Sequence, residues 1–223
     1  MNDTEASDWL TWQIVDSAFP TGAFAHSSGL EAAWQLGEID DLRALERFVA
    51  ASIQQAAHGV VPLVNAAYRR PSRLVALDAL ADAFLTNPVA NRASRIQGRT
   101  LVATAARIWP CRALDDLARA SERLRAHVAP LSGAAFCALG LPLPTVQRIV
   151  LFGAARSVLS AAVRLGIAGS YEAQRLQHRC GPELDAQLAR CADVDEADLA
   201  QTAPLLDLIQ AGHDALYSRL FQS

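Results

Sequence analysis

Residues 144–166 read PTVQRIVLFGAARSVLSAAVRLG. Wound at 3.6 residues per turn, this stretch is apolar nearly all round, the mark of a helix buried on most sides. Such a helix needs a shell of other elements. The sequence has no sustained alternation, no Asn-Gly hairpin and no β-branched cluster bounded by turns, so strand signals are missing. The shell is therefore expected to be helical. The expectation is one all-α domain over residues 1–223, an irregular bundle of about ten helices.

Local signals place the other helices. Asp8 to Asp16 is short and aromatic. Ser28-x-x-Glu31 has the spacing of a capping box, opening a helix to about Leu36 with Gly37 as its C-cap. Asp40 or Asp41 caps the next, whose Leu42, Leu45, Val49 and Ile53 keep the helical period. Gly59 and Pro62 punctuate before a stretch to Arg70, and Pro71-Ser72 starts one through Phe84. Asn87-Pro88 supplies an N-cap oxygen and a first-turn proline for a helix running to Trp109, where Pro110 stops it. Helices are expected at about 112–127, 131–139, 145–165, 171–179 and 183–191. Thr202 caps a last one, in which Leu205, Ile209, Gly212, Leu216 and Leu220 share a face.

Composition excludes several functions. The 223 residues are 52% hydrophobic and 19% charged, which is globular and large enough for a sizeable core. A net charge of −3 gives no basic balance for nucleic acid. The opening MNDTEASDW is acidic, unlike a signal peptide, and no apolar run is read as reaching the roughly 18 residues of a membrane span. The expectation is a cytoplasmic protein without a membrane partner. Lysine is absent and all 20 basic residues are arginine, so a G-x-x-x-x-G-K-[ST] loop, a Schiff-base lysine and an S-x-x-K nucleophile are impossible within this chain. Any nucleotide chemistry needs a partner's P-loop. Cys111, Cys137, Cys180 and Cys191 lie far apart without a C-x-x-C and read as small buried hydrophobes. No metal and no cofactor is expected.

Four places carry chemistry-bearing side chains. Residues 16–34, DSAFPTGAFAHSSGLEAAW, interrupt the helices, and Ala25–Gly29 is nearly a serine-hydrolase elbow. An elbow needs a strand before its serine, and Ser27 has none. His26 reads as a metal ligand, an acid–base group or a hydrogen-bonded imidazole; His178 and Cys180 form a weak metal pair or mark a helix C-terminus. Arg92, Arg95 and Arg99 fall in one stripe, and residues 87–106 hold no acid to pair with it. The stripe is either a solvated face or a seat for an acidic surface on another subunit or protein. Arg164 meets the last carbonyls of its helix or pairs with a carboxylate across a junction. The tail HDALYSRLFQS sets Arg219 among Leu216, Tyr217, Leu220 and Phe221, too apolar to hang free. It is expected on the core through Leu205, Ile209 and Leu216, or against a partner.

DSAFPTGAFAHSSGLEAA, NPVANRASRIQGRTL, SAAVRLGIAGSYEAQRLQH and HDALYSRLFQS, in that order, resemble the urease accessory protein UreF family over essentially the whole chain. Residues 36–85 and 107–140 carry little of the resemblance. Ala23 departs from it, standing where many relatives have a second glycine, so a positive φ is not expected there. The resemblance implies an all-helical, dimeric protein without catalytic residues. Its partners would be a scaffold accessory protein (UreD, also called UreH), a nickel-carrying GTPase (UreG) and apo-urease, and its role support of nickel insertion, with regulation of the GTPase as a further possibility. The candidate partner-interface residues are Phe24, His26, Ser27, Gly29, Glu31, Arg92, Arg95, Arg99, Arg164, Tyr217, Arg219, Leu220 and Phe221. A helical oligomer serving another metalloprotein, and a hydrolase using Ser27, are the competing readings.

Overall fold

The computed structural model describes residues 3–223, with side chains from Asp8 onward, so much of the acidic opening lies outside the described side chains. Twelve α-helices occur among the described residues and no strand does. They are α1 (Asp3–Val15), α2 (Leu30–Gln35), α3 (Leu42–Gly59), α4 (Val61–Arg69), α5 (Leu74–Phe84), α6 (Pro88–Ile108), α7 (Arg112–Ser121), α8 (Val128–Ala138), α9 (Leu143–Arg164), α10 (Ser170–Arg179), α11 (Gly181–Cys191) and α12 (Pro204–Ala211). The all-α bundle is as the sequence predicts.

The hub is α9, which touches α1 to α4, α8, α10 and α11. Leu151, Val158 and Ala162 meet Leu45 and Ile53 of α3 and Leu176 of α10 in one apolar cluster. A second cluster joins Leu63 of α4 and Phe136 of α8, and a third joins Val102 of α6, Leu114 of α7 and Leu131 of α8. A fully buried leucine of this kind contributes about 1.5–3 kcal/mol. One expectation is corrected here: α9 is long and apolar enough, by length and composition alone, to cross a membrane. Half of its most apolar window is buried among the neighbouring helices, as in a bundle's core helix.

Local chemistry sets the ends. The Asp41 carboxylate accepts from the Ala44 amide at 2.6 Å, and Asn87 Oδ1 accepts from Val89 at 2.9 Å and Ala90 at 3.3 Å. At the end of α9, Gly166 takes φ 74°; its amide reaches Val163, and the Ile167 amide reaches Ala162. Such a left-handed cap satisfies the last carbonyls without any side chain.

Three boundaries differ from expectation. The helix expected over 112–127 stops at Ser121 because the buried Asp78 carboxylate takes the amides of Arg125 (2.7 Å), Ala126 (3.3 Å) and His127 (2.8 Å). Thr202 caps nothing: its amide and hydroxyl and the Ala203 amide converge on Gln55 Oε1, and α12 starts at Pro204. The last helix also ends early, at Ala211, and Leu216 is already extended. Leu205 points to solvent, whereas Leu206 and Ile209 pack on the core. Of the cysteines only Cys180 and Cys191 are buried; Cys111 is exposed and Cys137 half-buried.

Candidate protein-docking site

The loop over residues 16–29 is pinned at its start by three contacts. Phe19 stacks on Trp109 with ring centroids 5.4 Å apart, the Thr104 hydroxyl donates to the Pro20 carbonyl at 3.0 Å, and Arg156 donates to the Val15 carbonyl at 2.8 Å. Beneath it runs a groove of about 870 Å³, walled by Phe19, Leu101, Phe136, Phe152 and Arg156. The loop then turns at two consecutive left-handed residues, Ser28 (φ 55°) and Gly29 (φ 86°). A serine in that region costs on the order of 1 kcal/mol or more, so its surroundings must hold it.

What holds it is the tail. The Gln222 amide donates to the Ala25 carbonyl at 2.8 Å, and the Ser27 amide donates to the Ser223 carbonyl at 2.6 Å, so the two segments run side by side as paired main chains. The Ser27 hydroxyl adds a bond to the same carbonyl at 3.0 Å, and His26 Nδ1 lies 2.6 Å from the Ser223 hydroxyl. Glu31, only 2% exposed, accepts from the Leu220 amide (2.6 Å), the Phe221 amide (3.1 Å) and Nε2 of the buried His213 (3.0 Å). Burying a carboxylate is unfavourable unless its lone pairs are satisfied, and three donors satisfy this one. We call this assembly the clasp. The capping box read from Ser28 and Glu31 is thereby corrected: α2 begins at Leu30 with Gly29 as its N-cap, the Ser27 hydroxyl rather than that of Ser28 accepts the Glu31 amide (3.4 Å), and the Glu31 carboxylate faces the tail.

Arg164 does neither thing expected of it. Gly166 and Ile167 have already taken the last carbonyls of α9, and among the described residues no carboxylate pairs with it. Its guanidinium lies 3.7 Å from the ring centre of Phe24 and 4.2 Å from that of Phe221, with a bond to the Phe24 carbonyl. A guanidinium held on two aromatic faces ties loop, α9 and tail together.

The arginine stripe divides. Arg92 pairs with Asp214 at 2.8 Å, and Arg219 reaches the same carboxylate at 3.2 Å. Arg95 donates to the Arg125 carbonyl at 3.2 Å. Arg99 is exposed and makes no ion pair among the described residues. The acid missing locally around Arg92 comes from the tail. The rest of that motif holds residues 125–128: Ser94 Oγ lies 3.1 Å from His127 Nδ1, and a Cβ on Gly98 would collide with the Ala126 carbonyl.

The candidate residues thus fall into two groups. His26, Ser27, Glu31 and Phe221 are buried and hold the clasp, with Gly29 at its turn; Phe24 (67% exposed), Tyr217 (fully exposed) and Leu220 (55% exposed) stand on its outer side. Ser27, wholly buried and bonded to the tail, has no access to a substrate. His213 and Asp214 were missed, although both lie in the quoted tail motif; no local spacing ties either to residues more than a hundred positions away. The His178 and Cys180 pair gains no third ligand: among the described residues no group of three His, Cys, Asp or Glu side chains could hold a metal ion.

Fold and site define an all-helical protein whose distinctive surface is a loop and a tail bound side by side, an arrangement suited to protein contact. The family model UreF matches residues 39–181. The chain belongs to the UreF family. It is similar to urease accessory protein F of Arabidopsis thaliana, 37% identical over 221 residues, covering 96% of this chain and 92% of the relative. Urease accessory protein F of Oryza sativa subsp. indica is 36% identical over 219 residues, with 96% and 84% covered. Urease accessory protein UreF of Mycobacterium tuberculosis is 33% identical over 213 residues, with 94% and 96% covered.

Proposed function

We propose that this chain is a cytoplasmic adaptor of urease maturation. It joins a UreD/UreH scaffold accessory protein and a nickel-carrying UreG GTPase on apo-urease, works as a homodimer, and supports nickel insertion without catalytic residues of its own. One observation supports the reading above others. The four sequence segments that resemble the family, far apart in the chain, converge on the clasp through Glu31, Arg92, Arg164 and the tail. Hydrolysis through Ser27 has no such support, since the serine is enclosed.

The outer side of the clasp is where we place the partner contact. Phe24, Tyr217 and Leu220 offer apolar area beside Arg219, and buried aromatic and arginine side chains dominate binding energy at interfaces. Arg99 is the member of the stripe left for an acidic partner, and a regulatory contact to the GTPase would use it. The test is co-purification of the chain with UreD/UreH and UreG. Tyr217→Ala with Leu220→Ser should lower recovery of a partner at least tenfold with an unchanged melting temperature, and Arg99→Glu should do the same for an acidic partner. Wild-type recovery with all three substitutions together would reject the surface. Failure of the unsubstituted chain to bind either partner would reject the adaptor.

A further inference from the structure

Two ring nitrogens within the clasp, Nε2 of His26 and Nδ1 of His213, are buried without a hydrogen-bond partner among the described residues. A neutral imidazole tolerates one bare nitrogen as an unused acceptor. A second proton on His26 changes that, because both nitrogens become donors and Nε2–H would find no acceptor.

The surroundings make the added charge worse. From α6, Arg92 approaches His26, its charge shared with Asp214. From the turn after α12 comes His213, whose Nε2 is on Glu31 of α2. Arg164 of α9 lies over Phe24 and Phe221 on the same loop and tail, and Arg219 is held by Asp214. The two side-chain carboxylates of the cluster, Glu31 and Asp214, are both engaged by other donors, and the main-chain carboxyl oxygen of Ser223 is taken by the Ser27 amide and hydroxyl. From the tail itself His26 meets only the Ser223 hydroxyl.

We propose that the clasp is an acid-released latch, in which protonation of His26 frees residues 218–223 from the loop. Burial, then the Arg92 guanidinium, then His213, hold the docked imidazole below the ordinary histidine value. The released state therefore binds the proton more tightly than the docked state. Docking is at full strength above the free value of about 6.5, and weakens as pH falls through it toward the lower docked value. One proton limits the loss to about tenfold per pH unit. The consequence is withdrawal of Phe221 from the α3–α9 cluster and loss of the composite outer surface. This goes beyond the adaptor reading and stands or falls without it, because the readout needs no partner.

The experiment is native-state hydrogen exchange on the full chain from pH 7.5 to 5.5, read as protection factors for the Leu220 and Phe221 amides, with Val158 of α9 as the core reference. We expect protection at Leu220 and Phe221 to fall up to tenfold between pH 6.5 and 5.5 while Val158 is unchanged. His26→Asn, whose amide takes the Nδ1 position, should flatten the profile. NMR titration of the His26 ring in the unsubstituted chain is the second measurement, and its midpoint should lie below the ordinary value. A flat wild-type profile overturns the latch. So does a slope that survives His26→Asn and disappears with His213→Gln, or a His26 ring that titrates at or above the ordinary value with the tail still docked.

Discussion

A carboxylate that is buried and accepts three hydrogen bonds is felt in two ways when it is changed. Removing the charge from Glu31 weakens the bonds from Leu220, Phe221 and His213, and a glutamine there turns an amide donor toward at least one of those donors. Hydrogen bonds to a charged group are each worth about 1.5–3 kcal/mol. Glu31→Gln should therefore destabilise the chain by about 2–3 kcal/mol, read as a lowered urea midpoint, with protection lost first at Leu220 and Phe221. An unchanged midpoint would mean that the clasp adds nothing to stability. The same residue shows why the site was only half legible. Its spacing from Ser28 is that of a cap, and a spacing rule sees only neighbours in sequence; the donors that claim it lie 189 and 190 residues away.

At the scale of helices, close approach is decided by single glycines. Gly98 lets the Ala126 carbonyl come against α6, and an added Cβ would also crowd the backbone of His127 and Val128. Gly153, inside α9, has nothing among the described residues within 4 Å of where its Cβ would stand. Gly98→Ala should cost about 1–3 kcal/mol or more by overpacking, whereas Gly153→Ala should be neutral or stabilise by up to about 1 kcal/mol through helix propensity. Thermal melts of the two variants side by side check this, and equal effects would contradict the packing of α6 on residues 125–128. Helix starts set by adjacent residues, such as Asp41 and Asn87, were legible because cap and amide are neighbours. The end of α7 and the shortness of α12 were not. Asp78 stops the first from another helix, and the pull of Glu31 on the tail draws Leu216 and Leu220 out of a helical pattern they otherwise fit.

For the whole molecule, the self-association we propose needs a face. Trp9 and Trp12, a turn apart on α1, are both mainly exposed, although α1 itself packs on α9. Two tryptophans in water are an unfavourable apolar surface unless another surface covers them. Trp9→Ser with Trp12→Ser should shift the sedimentation coefficient from dimer to monomer while the far-ultraviolet helix signal stays the same. A monomeric wild type, or a dimeric double variant, would place self-association elsewhere or remove it.

The pairing of residues 25–31 with 220–223 also has a meaning in time. A ribosome lengthens a chain by roughly 5–20 residues per second, so the loop emerges roughly 10–40 seconds before the strand of tail that completes it. Over that interval α9 can already be gathering its neighbours, while Glu31 and Arg164 wait in water without the groups they will bind. A nascent or prematurely terminated chain can thus be well folded in its helices and still present no finished face. Recognition of that face by a partner would therefore require that translation has passed residue 223.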